Sequence, residues 1–368
     1  MTIGIVGAGQ LGRMMALAGY PLGFDFLFLD RDAQTPGGQV GPILTGELTD
    51  RDLLGQLSQR CEVLTFDWEN IPVEALERLP GKARIAPPLR ALGAAQDRLT
   101  EKRTFELLGI PTTRYAAVDS RAALDAAVEH IGLPGVLKTR RMGYDGKGQF
   151  VLRKPEDLGP AWDALGKVPL LYENLVPFDA EISIIAVRNA RGESAFYPLN
   201  LNVHRDGILR LTRAPYGNAA LTRQAQRAAR KLLEHFKYVG VLTIEFFVKR
   251  GRLVANEMAP RVHNSGHWTI EGADTSQFEN HVRAIAGLPL GSTKARGHSA
   301  MINLVGEMPA RETWLAEAAL HWHDYGKTAR PGRKLGHVTI CERSAKTRDR
   351  RALKVLSRVD RATWLAIR

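Results

Sequence analysis

The chain has 368 residues, and its 44 % hydrophobic and 24 % charged residues are typical of a globular protein, which excludes wholesale disorder. Cys61 and Cys341 are the two cysteines, which excludes a disulfide scaffold and a cysteine-based zinc site. The net charge is +12, no apolar run reaches the roughly 18 residues of a transmembrane helix, and no leader pattern follows Met1, so we expect a cytoplasmic protein of two or three domains.

The first part of the chain alternates short apolar runs with helix-compatible segments. Such continuous apolar runs are typical of parallel strands that are buried on both faces. The Pro87-Pro88 pair interrupts the pattern, and we place the first domain boundary just after it. The predicted elements are strands at residues 3–6, 24–29 and 62–66 and helices at residues 13–19 and 51–60.

A glycine motif, Gly7-x-Gly9-x-x-Gly12, follows the first strand, and Asp30 stands eighteen residues further on. Glycines allow a backbone to approach a phosphate at a helix N-terminus, so the motif alone indicates dinucleotide binding. The alternative is that these glycines only permit a tight turn between the strand and the helix. The motif therefore leaves both interpretations open.

The middle of the chain contains a second glycine-rich loop. We predict a helix over residues 90–108 that ends at Gly109, and then a strand over residues 136–139. Residues 140–149 follow as a loop with three glycines, flanked by two arginines and two lysines. Backbone N–H groups and cations of this kind suit a triphosphate, although the loop lacks the Gly-Lys-Ser/Thr ending of a Walker A motif. A glycine hairpin with solvated charges is the alternative.

Two acidic residues, Glu245 and Glu257, stand at equal distances from Gly251. A three-residue hairpin loop centred on Gly251 places these carboxylates opposite each other on one face. Facing carboxylates repel unless a cation lies between them, and Mg²⁺ with a nucleotide phosphate suits such oxygens. A different register, with one glutamate in solvent, is the alternative.

The segment from Met258 to Trp268 is dense in polar donors, and we expect its arginine and asparagine side chains to hold a small anion. An ordinary capped loop is the alternative. A second domain boundary falls near residues 289–293. The remainder of the chain carries 16 basic and 7 acidic residues from position 290 onward. This charge fits an anionic small substrate, a nucleic acid or simply an arginine-rich surface.

Together these motifs resemble the ATP-grasp superfamily, and within it the carboxyaminoimidazole ribonucleotide synthase family of purine biosynthesis. The resemblance covers essentially the whole chain, and it rests on residues 7–14, 97–100, 108–111, 143–149, 256–268 and 330–337. The implied fold is α/β and α+β. It has a Rossmann-like N-terminal domain at residues 1–95, a central ATP-grasp domain at residues 96–290 and a small, basic, β-rich C-terminal domain at residues 291–368.

The resemblance implies that ATP phosphorylates bicarbonate and that the resulting CO₂ is transferred to the amine of 5-aminoimidazole ribonucleotide. Arg261, His263 and Asn264 would hold bicarbonate or carboxyphosphate, and Glu245 and Glu257 would bind Mg²⁺. The implied ATP-binding residues are Arg98, Lys138, Gly143, Tyr144, Asp145, Gly146, Lys147, Gly148, Gln149, Glu173, Asn174, Leu175, Val176, Glu181, His204, Asn256 and Glu257. The implied ribonucleotide-binding residues are Glu69, Tyr144, Asp145, Lys327, Arg333 and Lys334.

The resemblance further implies a cytoplasmic homodimer without nucleic-acid or membrane partners. It replaces the dinucleotide interpretation of the first glycine motif, because the N-terminal unit of this family helps to form the substrate pocket. Two alternatives stay open. One is another ATP-grasp enzyme, such as a formate-using glycinamide ribonucleotide transformylase, and the other is a nucleic-acid binder that uses the basic C-terminal part.

Overall fold

The computed structural model describes residues 1–79, 81–143 and 146–367, and its strands form three sheets. Helices cover a parallel N-terminal sheet, and two antiparallel sheets make up the rest. This architecture confirms the predicted fold class, in which an α/β part is followed by α+β parts. Within the described residues, no helix combines the length and apolarity needed to cross a bilayer.

The N-terminal sheet has the strand order β3-β2-β1-β4-β5, and each strand pair in it is parallel. Its central strands are buried on both faces, which explains the continuous apolar runs in the sequence. Its elements are β1 (Thr2–Val6), α1 (Gln10–Gly19), β2 (Asp25–Asp30), β3 (Ile43–Thr45), α2 (Arg51–Arg60), β4 (Val63–Phe66), α3 (Val73–Glu77) and β5 (Arg84–Ile85).

Two helices, α4 (Leu89–Gln96) and α5 (Arg98–Leu107), stand where the sequence predicts one helix over residues 90–108. That prediction is wrong at Asp97, whose backbone is extended and whose carboxylate accepts hydrogen bonds from the N–H groups of Leu99 and Thr100. Aspartate favours such a cap because its short side chain reaches the unpaired N–H groups of a first helical turn. The predicted stop at Gly109 is confirmed by its left-handed φ of 58°.

A small antiparallel sheet of order β6-β9-β7-β8 follows, with two helices packed against it. The glycine-rich loop joins its strands β7 and β8, so the loop has a rigid base. The elements are β6 (Tyr115–Val118), α6 (Arg121–Ile131), β7 (Gly135–Thr139), β8 (Gln149–Leu152), α7 (Leu158–Leu165) and β9 (Leu170–Asn174).

The large antiparallel sheet has the order β15-β14-β10-β12-β13-β16-β18-β17, with β11 paired to β10. Because β13 pairs with β16, the C-terminal strands extend the central sheet and do not form a separate one. Its strands are β10 (Ala180–Arg188), β11 (Ser194–Phe196), β12 (Asn200–Arg205), β13 (Ile208–Ala214), β14 (Gly240–Lys249), β15 (Arg252–Ala259), β16 (His298–Val305), β17 (Leu320–Asp324) and β18 (Lys334–Glu342).

The helices of this region lie on both faces of the large sheet. Helix α8 was predicted from its apolar face at residues 222–236, and the structure confirms it with a slightly earlier start. The helices are α8 (Ala219–His235), α9 (Thr269–Gly272), α10 (Gln277–Ile285), α11 (Arg311–Leu315), α12 (Ala345–Val359) and α13 (Arg361–Ile367). Short 3₁₀ turns lie at Tyr20–Leu22, Pro36–Gln39, Pro155–Asp157 and Asn264–Gly266.

The N-terminal sheet and the large sheet share one apolar core. Ile3 of the former belongs to the same buried cluster as Ile185 and Val241 of the latter. The buried His281 ring also joins the two sheets. Its Nε2 atom lies 2.9 Å from the hydroxyl of Thr65 on β4, and its Nδ1 atom accepts the N–H of Val241 on β14 at 3.1 Å. The N-terminal sheet is therefore fixed to the rest of the molecule.

Burial lowers the pKa of His281 from 6.5 to about 3, so the folded protein loses stability as the pH falls below 6.5. The unfolded chain binds a proton at this ring that the folded chain excludes. The free energy of unfolding is therefore about 1.4 kcal/mol lower at pH 5.5 than at pH 7.5. We expect His281→Gln to reduce the pH-dependent loss of unfolding free energy by that amount, as measured by urea denaturation at both pH values. An exposed control, His130→Gln on α6, should keep the wild-type difference, and an equal effect of both substitutions would contradict the assignment.

Candidate active site

The hairpin of β14 and β15 places the two predicted acidic residues opposite each other. Lys249 pairs with Arg252, so the hairpin loop consists of Arg250 and Gly251, both with left-handed φ values of 51° and 71°. This is the geometry of a two-residue type I′ turn, and the predicted three-residue loop is wrong. Further along, Phe246 pairs with Ala255 but Glu245 pairs with Glu257.

Asn256 is thus the extra residue of a β-bulge, and the bulge restores the predicted pairing of Glu245 with Glu257. Asn256 and Glu257 are both half-buried, which breaks the alternation of buried and open positions along β15. The Oδ1 atom of Asn256 is buried and has no hydrogen-bond partner within the described part of the chain. An unsatisfied buried oxygen beside two carboxylates is a donor set that fits a cation.

The electrostatics of this pair also fit a cation. Burial and the nearby Glu257 carboxylate raise the pKa of Glu245 to about 7, against the opposing effect of His204. Burial would raise the pKa of Glu257 too, but the Arg98 guanidinium, 3.3 Å from its carboxylate, holds that pKa below its usual range. No group of three or more metal-ligating side chains occurs in the described residues. An ion here would complete its coordination with phosphate oxygens and water.

A buried charge cluster lies beneath the base of the glycine-rich loop. The Lys138 ammonium on β7 contacts one carboxylate oxygen of Glu173 on β9, and Lys102 on α5 lies 3.2 Å from the other oxygen. The Thr113 hydroxyl donates to the same carboxylate at 2.6 Å. Although burial opposes ionisation, the two lysines lower the pKa of Glu173 far below its usual range. Its side chain thus orients the two lysines.

The predicted phosphate loop joins β7 to β8 as expected. Gly146 and Gly148 have φ values of 77° and 71°, which side chains rarely adopt, so these glycines are required by the backbone. The predicted ligands Tyr144 and Asp145 lie outside the described residues. Arg140, just before the glycines, forms a two-point contact with Asp97 at 3.1 and 2.7 Å. The Asp97 cap of helix α5 is therefore joined to the base of the glycine-rich loop.

Three charged side chains form a row across neighbouring strands of the large sheet, from β12 through β10 to β14. His204 Nδ1 lies 3.2 Å from Glu181, and its Nε2 lies 4.0 Å from Glu245. Burial disfavours the charged ring, yet its hydrogen bond to Glu181 and the charge of Glu245 raise the pKa of His204 to about 9. The imidazolium is consequently charged at neutral pH, between the predicted ribose-binding acid and the predicted metal-binding acid.

The loop after β15 brings Arg261 and His263 to the same place. The Nε and Nη2 atoms of Arg261 lie 2.9 and 2.6 Å from one oxygen of Glu69, a residue of the N-terminal domain. His263 Nε2 lies 3.6 Å from Glu245. Burial, with the charges of Arg261 and Lys334, lowers the pKa of His263 well below 6.5, so its ring is neutral.

Asn264 differs from its neighbours, because its amide exchanges two hydrogen bonds with the Asn303 amide at 3.0 and 2.7 Å. The Asn264 side chain is thus joined to β16, and its predicted contact with an anion stays a prediction. It thus fixes the loop that carries Arg261 and His263.

Three of the predicted ribonucleotide-binding residues lie in the C-terminal part, at the start of β18 and in the segment before it. Lys327 contacts the side chain of Gln10 at the start of α1, and its ammonium lies 5.8 Å from the centre of the Tyr325 ring. Arg333 donates to the Thr328 carbonyl at 3.0 Å, which closes the turn before β18. The positive charge of Lys334 acts to lower the pKa of the Glu245 carboxyl group.

A cleft of about 40 Å³ opens between the N-terminal part and the central part of the chain. Its lining shows that Glu257, Arg98 on α5, Arg140 at the base of the glycine-rich loop and the loop after β15 share one space. Its lining residues are Glu69, Asn70, Ala95, Gln96, Arg98, Glu101, Arg140, Met142, Gly143, Glu257, Met258, Ala259, Arg261 and His263. Sequence reasoning missed Glu101 and its neighbour Lys102, although their spacing of three and four residues from Arg98 places them on the same face of α5.

The first glycine motif is filled by the chain itself. A Cβ atom at Gly7 would overlap the carboxylate of Asp67, and the Gly12 N–H donates to that carboxylate at 3.4 Å. The N–H of Ala8 donates to Asp30 at 2.6 Å. Burial, then the nearby Asp30, raises the pKa of Asp67 to about 6. Carboxylates thus occupy the donors that a dinucleotide phosphate would need, so the motif serves the turn and not a cofactor.

Comparisons with known proteins agree with this geometry. Residues 1–96 match the ribonucleotide synthetase preATP-grasp domain, residues 103–278 match the ATP-grasp domain, and residues 299–351 match the phosphoribosylaminoimidazole carboxylase C-terminal domain. N5-carboxyaminoimidazole ribonucleotide synthase of Pseudomonas aeruginosa is 50 % identical over 340 residues, which cover 92 % of this chain and 94 % of that protein.

Solved structures give the same result. The crystal structure of N5-carboxyaminoimidazole ribonucleotide synthetase from Thermus thermophilus is similar with a TM-score of 0.92 and 50 % identity, covering 97 % of this chain and 98 % of that one. The synthase from Aspergillus clavatus, solved with ADP and 5-aminoimidazole ribonucleotide, has a TM-score of 0.90 and 32 % identity, with 98 % of each chain covered.

We expect Glu173→Gln to destabilise the protein, because it leaves the Lys102 and Lys138 ammonium groups buried without a counter-charge. Removing one partner of a buried ion pair costs about 3 kcal/mol, and the loss should appear in the unfolding free energy from urea denaturation. Glu193→Gln removes a carboxylate from an exposed pair with Arg191 and should leave the unfolding free energy nearly unchanged. Equal losses for both variants would show that the buried cluster has no special role.

Proposed function

The chain belongs to the N5-carboxyaminoimidazole ribonucleotide synthase family, and we propose that its cleft joins bicarbonate to 5-aminoimidazole ribonucleotide with the hydrolysis of ATP to ADP and phosphate. The protein is an ATP-dependent ligase. The observation that supports the proposal most strongly is the pairing of Glu245 with Glu257, near the positive charges of Arg98, Lys138 and Lys334.

The proposed reaction has three steps that balance. A bicarbonate oxygen attacks the γ-phosphorus of ATP, the bond to the bridging oxygen breaks, and ADP leaves. Carboxyphosphate then divides into CO₂ and inorganic phosphate. The amine of the ribonucleotide adds to CO₂ and loses one proton, which leaves the carbamate product. A site that excludes water protects carboxyphosphate from hydrolysis, and closure of the glycine-rich loop would provide that protection.

For the nucleotide, we propose that Arg98, Lys138 and the described glycines of the loop contact the phosphates. Lys138 is suited to this because Glu173 fixes its ammonium at the end of β7. The segment at the end of β9 and just after it, at Asn174, Leu175 and Val176, would hold adenine, and Glu181 with charged His204 would face the ribose. Gly143, Gly146, Lys147, Gly148 and Gln149 are the described loop residues in this proposal.

The residues that would hold Mg²⁺ are Glu245, Glu257 and the unsatisfied Asn256 oxygen. When bound, the ion neutralises phosphate charge and orients the γ-phosphoryl group. Arg98 is paired with Glu257 and lines the same cleft. It can turn from the carboxylate to a phosphate without leaving the cleft.

For bicarbonate, we propose that Arg261 and His263 hold the anion while Asn264 fixes their loop. The His263 Nδ1 atom accepts the Ser265 N–H at 3.3 Å, so the proton of the neutral ring lies on Nε2. His263 is then a neutral donor, which binds an anion without competing for its proton. Arg261 supplies the positive charge, and Glu69 orients its guanidinium.

For the ribonucleotide, Lys327, Arg333 and Lys334 would bind the phosphate, and Glu69 would face the imidazole amine. This assignment gives the basic C-terminal part an anionic small-molecule partner. Many of its other cations are already paired, since Lys354 contacts Glu317 and Arg351 lies 2.6 Å from Glu342. We therefore propose no nucleic-acid partner, and a homodimer and a cytoplasmic location stay predictions from the family resemblance.

Omission assays test the function directly. We expect ADP release by the purified protein to require ATP, Mg²⁺, bicarbonate and 5-aminoimidazole ribonucleotide together, as measured by a coupled ADP assay. Release with glycinamide ribonucleotide and formate instead would keep the ATP-dependent ligase and change its substrate. Absence of ADP release under every combination would contradict the proposal.

We expect Glu257→Gln to lower kcat for ADP release by at least about a hundredfold at saturating Mg²⁺, because the facing pair loses one anionic ligand. ADP binding and the melting temperature should remain close to the wild-type values. Glu234→Gln removes an exposed carboxylate of α8 and should leave kcat unchanged. Full activity of Glu257→Gln would rule out the metal assignment.

A further inference from the structure

Strand β15 lies at the edge of the large sheet, so its outer backbone groups need partners outside the sheet. The Ala255 N–H donates to the Pro111 carbonyl at 2.7 Å. Beyond the bulge, the Met258 N–H donates to the Glu101 carboxylate at 2.6 Å. The outer edge thus uses residue 255 before the bulge and residue 258 after it, which shows the shift in register that the bulge introduces.

Helix α5 supplies the other partners of the bulge. The Lys102 ammonium lies 2.9 Å from the Asn256 carbonyl and 3.4 Å from the Ala255 carbonyl. Arg98, one turn earlier, binds the Glu257 carboxylate. The side chains of Arg98, Glu101 and Lys102 are spaced by three and four residues and therefore share one helix face. Together they contact each of the four residues from Ala255 to Met258.

The bulge determines which side chain meets Glu245. The hairpin turn sets Lys249 opposite Arg252, and this register without a bulge would place Asn256 opposite Glu245. Glu257 would then point to the other face of the sheet, because a slip of one residue reverses every side chain. The acidic pair thus exists only while the bulge is held.

We propose that Glu101 and Lys102 are positioning residues that hold the bulge at Asn256 and thereby keep the Glu257 carboxylate opposite Glu245. The proposal rests on the proposed function, in which this acidic pair serves ATP turnover. Glu101 and Lys102 are each only 2 % exposed, so their contacts are not exchanged for contacts with solvent. Both residues contact the backbone of β15, which carries Glu257, and they act on the site through that backbone.

Lys102 has a further link to the phosphate side of the site. Its ammonium lies 3.2 Å from Glu173, whose other oxygen contacts Lys138. One buried ammonium therefore orients both the carboxylate that holds Lys138 and the carbonyls that shape the bulge. Loss of Lys102 should disturb ATP affinity and metal dependence together, whereas loss of the Glu101 contact should disturb metal dependence alone.

The test compares Glu101→Gln with Glu101→Leu. The glutamine amide oxygen can still accept the Met258 N–H, so this variant should keep the half-saturating Mg²⁺ concentration and kcat within about twofold of the wild type. Leucine removes the acceptor, and we expect at least a tenfold higher half-saturating Mg²⁺ concentration with little change in KM for ATP. A purely structural role would lower the melting temperature of the leucine variant without this separation of constants.

Amide hydrogen exchange of residues 255–259 gives a readout that needs no turnover. Glu101→Leu should lose protection there, Glu101→Gln should retain it, and Lys102→Met should lose it and also raise KM for ATP. Lys231→Met is the matched control, because Lys231 donates to the Leu108 and Gly109 carbonyls at 2.7 and 3.3 Å, away from the cleft. It should match the wild type in every measurement.

Wild-type exchange and Mg²⁺ dependence in Glu101→Leu would overturn the proposal. Lys102→Met decides the question in the same way if the leucine variant does not fold. If the wild-type protein releases no ADP, the proposed function fails, and the exchange comparison alone still decides whether Glu101 and Lys102 hold the bulge.

Discussion

The mutual repulsion of two carboxylates, Glu245 and Glu257, is the constraint on which the rest of the site depends. A hairpin that places like charges opposite each other is unfavourable by itself, so neighbouring groups must compensate. Arg98 and charged His204 provide that compensation in the protein alone, and a cation would provide it during turnover. The surrounding positive charge is therefore a condition for placing the two carboxylates opposite each other.

The same constraint explains why buried charges occur in networks. Glu173 is shared by Lys102 and Lys138, and Asp97 joins the start of α5 to Arg140 at the base of the glycine-rich loop. In these two networks each charge has a partner of opposite sign, which limits the cost of desolvation. Because these partners lie on different elements, α5 connects the loop that would hold phosphates to the strand that carries the acids.

The N-terminal sheet shows a related use of internal carboxylates. Its glycine motif has the spacing of a dinucleotide site, yet Asp67 and Asp30 occupy the donors around the turn. The N-terminal part instead contributes Glu69, after β4, and Gln10, on α1, which contact Arg261 and Lys327 of the other two parts. The side chains of the predicted site thus come from all three parts of the chain, and no part contains them all.

The sequence by itself determined the strand and helix pattern, the fold class and the place of the glycine-rich loop, because apolar periodicity and glycine positions are local properties. It also predicted the pairing of Glu245 with Glu257, but through a three-residue turn that the structure replaces with a two-residue turn and a bulge. It did not determine the break at Asp97, the two-residue turn or the bulge at Asn256. Those features depend on contacts with distant residues: Arg140 binds Asp97, and Glu101 and Lys102 bind the backbone of β15. Tertiary structure also decided that Asp67 fills the first glycine motif, since residues 55 to 60 positions apart meet only when the parallel strands assemble.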